Sequence, residues 1–288
     1  MTAVRPHPQR HAVSLLSDDA LPALGALLEA DPFVNVAVSS RIAVTRSLTP
    51  PRLGGTMLGI GDRADLRAAC FSGGNLVPIG GDAAAWEAIA GAVATYPRVC
   101  TSIVGRADAV EVLWQRLEPE WGPARSIRPS QPVLVLDHPV SASRDHGVRH
   151  AEERDFENYV HAAAQMFTEE LGVAPSVAPG VAAFRARVGE LIRRRRAFVA
   201  VDASGAIVFK AEVGAVSRHS AQLQGVWVRP DLRGRGIATS ALAAVCQHAL
   251  ALAPTVSLYV NDFNTTALRL YARLGMRQVA TLATVLLA

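Results

Sequence analysis

The segment from Val226 to Thr239 combines residue types that bind an anion. A strand pattern changes into a helix pattern there through a turn rich in Gly and Arg, with the sequence Arg-Pro-Asp-Leu-Arg-Gly-Arg-Gly. Gly234 and Gly236 permit backbone angles that other residues rarely adopt, and they let a ligand approach the chain closely. The helix that follows begins with unpaired N–H groups and the positive end of its dipole. Such a turn is an anion site, and a pyrophosphate is a suitable ligand for it.

Three known phosphate-binding patterns can be compared with this turn. The Walker A loop needs Gly-Lys-Ser/Thr, and the turn has no Lys. The dinucleotide fingerprint would need a third glycine at position 239, which is Thr. The pattern Arg/Gln-x-x-Gly-x-Gly/Ala is filled by Arg233, Gly236 and Ala238.

A second segment, residues 258–276, places polar residues at the end of a strand and along the next helix. Asn261 and Asn264 precede that helix, and Asn264 is well placed to cap it. Tyr271 lies seven residues, or two helical turns, after Asn264, so both share one face of the helix. Gly275 then ends the helix as a C′ glycine.

Together the two segments resemble the Gcn5-related N-acetyltransferase (GNAT) family over about half the chain. Met276 stands where the family often has Phe. The whole chain also resembles two-domain bacterial proteins in which such a domain follows an N-terminal domain of unknown function. The positions that carry the family resemblance are Arg233, Gly236, Ala238, Asn261, Asn264, Ala267, Tyr271, Gly275 and Met276.

The resemblance implies an N-acetyltransferase that moves an acetyl group from acetyl-CoA to an amine by direct attack on the thioester. In the family, the strand before the turn splays from its neighbour, and the pantetheine arm of CoA pairs with the freed backbone. Trp227 lies within that strand, and a lone aromatic residue in a strand is usually a core residue. The predicted CoA-binding residues are Val226, Trp227, Val228, Arg233, Gly234, Arg235, Gly236, Ile237, Ala238, Thr239, Asn261 and Asn264.

The resemblance also assigns a catalytic role to Tyr271. Acyl transfer from a thioester expels a thiolate, and a phenol hydroxyl near the sulfur can give it a proton. The alternative is a half-buried Tyr that packs the helix against the sheet.

The group that takes the proton from the amine stays open between several candidates. On the strand Ile207–Ser217, Lys210 and Glu212 point to the same face, about 7 Å apart at strand spacing. Glu212 is therefore either a catalytic base or the ion-pair partner of Lys210.

Glu169 and Glu170, at the end of a predicted helix, form the second candidate pair. In the resembled family this region lines the acceptor pocket, so both are predicted to bind the substrate. Gln222 and Gln224 occupy the strand that often carries the family's Glu base, which argues against a carboxylate base there. The base is then Glu212, one of Glu169 and Glu170, or water.

The order of predicted elements indicates an α/β fold with two domains. We predict a GNAT-type mixed sheet flanked by helices at 141–288, and a degenerate GNAT-like domain without a CoA site at 1–140. Residues 12–46 are predicted to be helical, and a linker is predicted near residues 137–147. Predicted strands cover 67–71, 76–79, 100–104, 132–136, 197–201, 207–217, 221–228, 256–260, 277–280 and 284–287, and predicted helices 83–95, 107–117, 151–168, 183–195, 236–250 and 265–274.

Composition narrows the class of protein further. The formal net charge is +4, from 29 basic and 25 acidic residues, and Lys210 is the only Lys. The run Arg193–Arg196 suits a solvated helix end, so we predict no nucleic-acid partner. The three cysteines lack metal-ligand spacing and sit in apolar stretches, which predicts buried thiols, no metal site and a cytoplasmic protein. Met1–Gln9 precedes no apolar signal region, and no apolar run is long enough to span a membrane.

Two hypotheses from different classes remain. The first is an active N-acetyltransferase whose acceptor, a small-molecule or protein amine, the sequence does not name. The second is a catalytically silent acyl-CoA sensor that keeps the pyrophosphate turn. The oligomeric state is left open.

Overall fold

The computed structural model describes residues 12–62, 64–140, 147–172 and 180–288. Residues 1–11 and part of the predicted linker, residues 141–146, lie outside this description. In chain order the elements are β1 (Val13–Leu15), α1 (Leu21–Ala30), α2 (Val36–Thr45), α3 (Pro50–Leu53), β2 (Thr56–Asp62), β3 (Asp65–Ser72), β4 (Asn75–Gly80), α4 (Ala83–Ala94), β5 (Ser102–Arg106), α5 (Ala107–Trp121), β6 (Ala124–Leu136), β7 (Arg149–His150), α6 (Phe156–Leu171), α7 (Val181–Arg193), β8 (Ala197–Val201), β9 (Ile207–Val216), β10 (Ser220–Val228), α8 (Ile237–Leu250), β11 (Thr255–Tyr259), α9 (Thr265–Arg273) and β12 (Arg277–Leu287).

The chain divides into two compact units. One contains residues 1–133, 259–263 and 278–288, and the other contains residues 134–258 and 264–277. The last strand, β12, pairs antiparallel with β5, so a cut between 140 and 141 would separate paired strands. The two-domain boundary at that point stays a prediction, and experiments are best done on the whole chain.

The first unit is built around the strand order β1-β2-β3-β4-β5-β12. The strands β1 to β4 are antiparallel neighbours, and β4 and β5 are parallel. Apolar side chains cover both faces of this sheet. One cluster includes Trp86 and Leu113 from α4 and α5, and the other includes Leu24 and Val38 from α1 and α2.

The second unit has the strand order β11-β10-β9-β8-β7. The pair β10–β11 is parallel, and the other neighbours are antiparallel. Tyr159 of α6 and Leu191 of α7 pack in one apolar cluster with Trp227 of β10. The helix α8 is rich in Ala, buries much of its surface and contacts β9 and β10. Both units therefore have the predicted α/β architecture.

Most predicted elements are present, with shifted ends, but some predictions are wrong. Residues 12–46 are not one helical region, because β1 and a short 3₁₀ turn at Asp18–Ala20 precede α1. The strand β2 was not predicted, because its glycine content hides the strand pattern. The strand predicted at 100–104 starts and ends two residues later, as β5, and the two strands predicted at 277–280 and 284–287 form the single strand β12.

Two local predictions, the glycine after α9 and the buried cysteines, are confirmed, and further local detail is seen at the start of α4. The Asp82 carboxylate caps α4 by accepting a hydrogen bond from the Ala85 N–H at 2.9 Å. Gly275 follows α9 with a φ of 83°. All three cysteines are free and buried. Among the described residues, no helix is long and apolar enough to cross a membrane.

Candidate active site

The strands β10 and β11 run side by side only at their beginnings. Their parallel ladder pairs Ser220–Gln222 with Thr255–Ser257. In the part of the chain that the structure describes, no pair follows, although β10 continues to Val228 and β11 to Tyr259. The second half of β10 therefore has a free backbone edge on the β11 side, which is the geometry predicted for a pantetheine arm.

A β-bulge interrupts the pairing of β10 with β9, a few residues after β10 has separated from β11. Gln224 is opposite Glu212 on β9, and Trp227 is opposite Lys210, so two residues of β10 face one residue of β9. The first of the two, Gly225, has a φ of 62°. A glycine fits this position because the left-handed region is costly for other residues.

The turn after β10 has the geometry of an anion site. Gly234 and Gly236 have φ values of 76° and 78°, and an added Cβ at either would meet no atom within 4 Å. The α8 helix starts at Ile237, and its first turn includes Ala238 and Thr239. Among the described residues, the N–H groups of Gly234, Arg235 and Gly236 have no protein acceptor. An oxyanion placed here would meet several donors and the positive end of a helix.

The arginines of this turn differ in their partners. Arg229 is held by Asp202 at 2.7 Å and by Asp231 at 2.8 Å, so it serves the loop structure. Arg233 donates to the Val228 carbonyl at 3.0 Å and to Glu169 at 2.6 Å.

Arg235 is exposed, and no ion pair to it is found among the described residues. An incoming phosphate would therefore meet one uncommitted guanidinium, and another that a carboxylate already holds.

Glu169 links the predicted acceptor region to the turn. Its carboxylate accepts from Arg233 and, at 3.4 Å, from the Trp227 indole N–H. Trp227 is 4% exposed and belongs to the apolar cluster under α6 and α7, so its ring is a core residue. This contact fixes the end of α6 against the strand and turn that were predicted to bind CoA.

Tyr271 is a buried residue of α9 with a polar hydroxyl group. The side chain is 6% exposed, and among the described residues its hydroxyl has no hydrogen-bond partner. Burial raises the pKa of Tyr271, and the charge of Glu170 adds to that rise. The phenol stays protonated at neutral pH and is available to donate.

Glu212 is the centre of a buried polar network. One carboxylate oxygen accepts from Arg187 at 3.0 Å and from Gln224 at 2.7 Å, and the other accepts from the Tyr159 hydroxyl at 3.1 Å. Burial opposes the charge, but Lys210, Arg187 and these donors hold the pKa of Glu212 below its usual value. A carboxylate with this many donors is a weak proton acceptor.

Lys210 and Glu212 lie on the same face of β9, as predicted. Among the described residues no hydrogen bond or ion pair joins Lys210 to Glu212, although the charge of Lys210 lowers the pKa of Glu212. Its ammonium group donates to the Gly225 carbonyl at 3.0 Å and lies 5.2 Å from the centre of the Tyr159 ring.

Glu170 is an exposed residue on the last turn of α6. Its negative charge raises the pKa of Tyr271 and acts against the burial that lowers the pKa of Lys210. Glu170 is thus in electrostatic contact with both groups, one of which is the predicted acid.

Asn264 and Asn261 have structural partners. The Asn264 side chain accepts from the Ala267 N–H at 3.1 Å and caps α9, as predicted. Asn261 accepts from the Gln131 side chain at 2.8 Å and belongs to the first compact unit. Any role of either in binding CoA stays a prediction.

Three features of the site were missed at the level of sequence. Tyr159 and Arg187 are far from Glu212 along the chain, and no spacing pattern connects them. The bulge at Gly225 had a usable signal, because an isolated glycine inside a strand pattern suggests a bulge.

Two family models match the sequence in succession. Residues 183–276 match the acetyltransferase (GNAT) family, and residues 55–159 match a domain of unknown function, DUF4081. The first match contains the bulge, the anion turn and Tyr271. No curated protein is detectably similar in sequence to the chain.

Several solved structures share the fold over nearly the whole chain. An acetyltransferase of the GNAT family from Colwellia psychrerythraea is 14% identical, with a TM-score of 0.58, and the alignment covers 96% of this chain and 100% of that one. A GCN5-related N-acetyltransferase from Sphaerobacter thermophilus is 17% identical, with a TM-score of 0.59 and coverage of 96% and 95%.

A third neighbour, a tandem GNAT protein from the clavulanic acid biosynthesis pathway, is 14% identical, with a TM-score of 0.55 and coverage of 96% and 98%. These likenesses confirm the predicted GNAT-type fold, including the GNAT-like first half.

Proposed function

We propose that this chain, a two-domain member of the Gcn5-related N-acetyltransferase (GNAT) family, transfers an acetyl group from acetyl-CoA to an amine in its second unit. The observation that carries the proposal is the course of β10. The strand loses its parallel partner after Gln222 and leads directly into a turn with two open glycines at the start of α8. An extended pantetheine fits beside the free edge, and a pyrophosphate fits the turn.

The proposed reaction is direct. The neutral amine attacks the thioester carbon, the C–S bond breaks, and the thiolate takes the proton of the Tyr271 hydroxyl. The new amide nitrogen then releases its extra proton, which restores the Tyr271 hydroxyl. The raised pKa of Tyr271 keeps that proton in place until a thiolate forms. Its hydroxyl has no competing protein partner among the described residues.

We assign the proton that the amine loses to a carboxylate of the Glu169–Glu170 pair or to water. Glu212 accepts hydrogen bonds from three donors and is a weak proton acceptor. Glu170 is exposed and lies close enough to Tyr271 to act on its pKa. An alkylamine has a pKa of about 10 and needs such an acceptor before it attacks. In this proposal Glu212 is a structural residue.

The experiment is the release of CoA from acetyl-CoA, followed with a thiol reagent, in the presence of a panel of amines that includes polyamines, amino acids, aminoglycosides and peptides. We expect release that depends on the amine. The Gly236→Glu variant, checked for folding by circular dichroism, should give none. A chain that binds CoA tightly but releases no thiol with any amine would favour the silent acyl-CoA sensor.

A further inference from the structure

Lys210 is the only lysine of the chain, and its side chain is completely buried in β9. Every other side chain that is permanently cationic is Arg. Burying an ammonium group is costly, and an apolar residue of similar volume would pack in the same space at a smaller cost. Burial lowers the pKa of Lys210 accordingly, and the charge of Glu212 on the same strand offsets part of that effect. Lys210 thus has an electrostatic partner in Glu212, and its hydrogen bond shows what else it holds.

The ammonium group is directed at the bulge of β10. It donates to the Gly225 carbonyl at 3.0 Å, and a Cβ added at Gly225 would lie only 2.9 Å from it. In the bulge, Gly225 and Val226 together face a single residue of β9, so the regular ladder is interrupted. Lys210 supplies a donor to a carbonyl at this interruption and fixes the peptide that joins Gly225 to Val226.

That peptide carries the Val226 N–H group. Beyond the bulge, the Arg229 N–H donates to the Val208 carbonyl at 3.0 Å. Donors along an antiparallel strand alternate in direction, so Trp227 bonds toward Lys210 and the Val226 N–H points to the opposite side. That side is the edge that β11 has left after Ser257.

We propose that Lys210 is a positioning residue for acyl transfer, because it holds the Gly225–Val226 peptide with the Val226 N–H directed at the thioester carbonyl oxygen. The proposal rests on the function proposed above. The carbonyl oxygen gains negative charge as the amine attacks, and a fixed N–H stabilises it most at that moment. Lys210 acts through the backbone and does not touch the substrate.

The test replaces Lys210 with Met, which keeps an unbranched side chain but removes the donor. Hydrogen–deuterium exchange of the peptide covering residues 224–228 should become faster, while exchange in β8 stays as in the wild type. The turnover number should fall by about 10- to 100-fold, since a misplaced donor loses part of what a deleted donor would. The Michaelis constant for acetyl-CoA should barely change, because the pyrophosphate turn is intact.

Val199→Ala is the matched control. Val199 lies opposite Lys210 on the neighbouring strand β8 and is fully buried in the cluster of α6 and α7. Its cluster also contains Trp227, so its truncation destabilises the same region while the Lys210 ammonium group and the Gly225 carbonyl stay in place. It should leave the turnover number unchanged.

The single lysine allows a second readout. Lysine labelled with ¹⁵N and ¹³C gives one side-chain signal in this chain. That signal should shift more with a non-hydrolysable acetyl-CoA analogue than with CoA, because only the former has the acyl carbonyl.

Unchanged exchange at residues 224–228 in Lys210→Met, or unchanged turnover, would overturn the positioning role. Equal loss of turnover in Val199→Ala would do the same. A wild-type chain that releases no CoA with any amine would refute the proposed function instead, and the exchange measurement would still decide whether Lys210 holds the bulge.

Discussion

The turn between β4 and α4 and the turn between β10 and α8 both join a strand to a helix through two glycines with positive φ. In the first unit these are Gly80 and Gly81, with φ values of 58° and 88°. An added Cβ at Gly80 would lie 2.8 Å from Leu27, and one at Gly81 would lie 2.9 Å from Trp86. At Gly234 and Gly236 the same space is open. The first turn is filled by the protein itself.

The helices that follow the two turns also differ, because the first has a side-chain cap at its N-terminus and the second has none. The α4 N-terminus is capped by the carboxylate of Asp82, which occupies the position that an anion would take. The α8 N-terminus follows Gly236, which has no side chain to cap it.

The strands that precede the two turns also differ. The second half of β4 contains Pro78, which has no N–H to donate. The Pro78 ring packs against Gly105 of β5, and a Cβ added at Gly105 would lie 2.7 Å from that ring. The second half of β10 pairs with β9 on one side, and among the described residues no strand pairs with its other edge beyond Gln222. A shared fold thus needs only the strand–turn–helix order, whereas an anion site also needs open space and free N–H donors. It supports the prediction that the first unit binds no CoA.

The largest expected effect is at the open turn. Gly236→Glu should abolish measurable CoA binding, because its carboxylate repels the pyrophosphate and its side chain fills the nest. Calorimetric titration checks this. The control is Gly205→Glu, at another open glycine with a φ of 83° in the same unit. The placement of the pyrophosphate is wrong if folded Gly236→Glu binds CoA like the control.

Two tyrosines of the second unit differ in whether the protein already binds their hydroxyl group. Tyr271→Phe should lower the turnover number by about 10²-fold and leave the Michaelis constant for acetyl-CoA unchanged, since it removes a proton donor of the transition state. Steady-state kinetics with saturating substrates measures both. Tyr159, whose hydroxyl already bonds Glu212, provides the comparison.

Tyr159→Phe should lower the free energy of unfolding by about 1–3 kcal/mol, because it leaves a buried acceptor without its donor. Near-wild-type turnover in Tyr271→Phe would show that Tyr271 does not protonate the thiolate. The thiolate would then leave unprotonated or take its proton from water.

At the turn between β4 and α4, Asp82→Ala should lower the stability of the protein and leave its affinity for CoA unchanged. Loss of an N-cap costs about 1 kcal/mol of unfolding free energy. Urea denaturation measures that loss, and a parallel CoA titration should show no change. A weaker CoA affinity in this variant would mean that the first unit takes part in binding.

The smallest effect is expected at Glu169. Glu169→Gln should tighten CoA binding by a few-fold, because the phosphate no longer competes with a carboxylate for Arg233. The pair is partly exposed, with 48% and 39% of the two side chains accessible, so its worth is about 0–1 kcal/mol. Glu157→Gln is the control, since Glu157 lies on the same helix as Glu169 and pairs with Arg185 of α7. Weaker binding in Glu169→Gln would show that Glu169 supports the CoA site.

The parts of the site that depend on local sequence could be predicted. The turn at Gly234 and Gly236, the cap at Asn264 and the shared face of Lys210 and Glu212 follow from spacing, and the structure has all three. The partners of Glu212 could not be predicted, because Tyr159 and Arg187 reach it from other elements 53 and 25 residues away along the chain.

The same limit applies to the fold. Strand order and the filling of the first turn by Leu27 depend on packing between distant segments. The pairing of β12 with β5 also joins distant parts of the chain, so the sequence-based boundary did not anticipate it.

The number of CoA molecules bound per chain tests the central claim most directly. Calorimetric titration of the whole chain with CoA should give one site, with an affinity that falls as salt is added because phosphate contacts are screened. That site should be lost in Gly236→Glu. Two sites, or one site that persists unchanged in that variant, would contradict the assignment of CoA to the turn between β10 and α8.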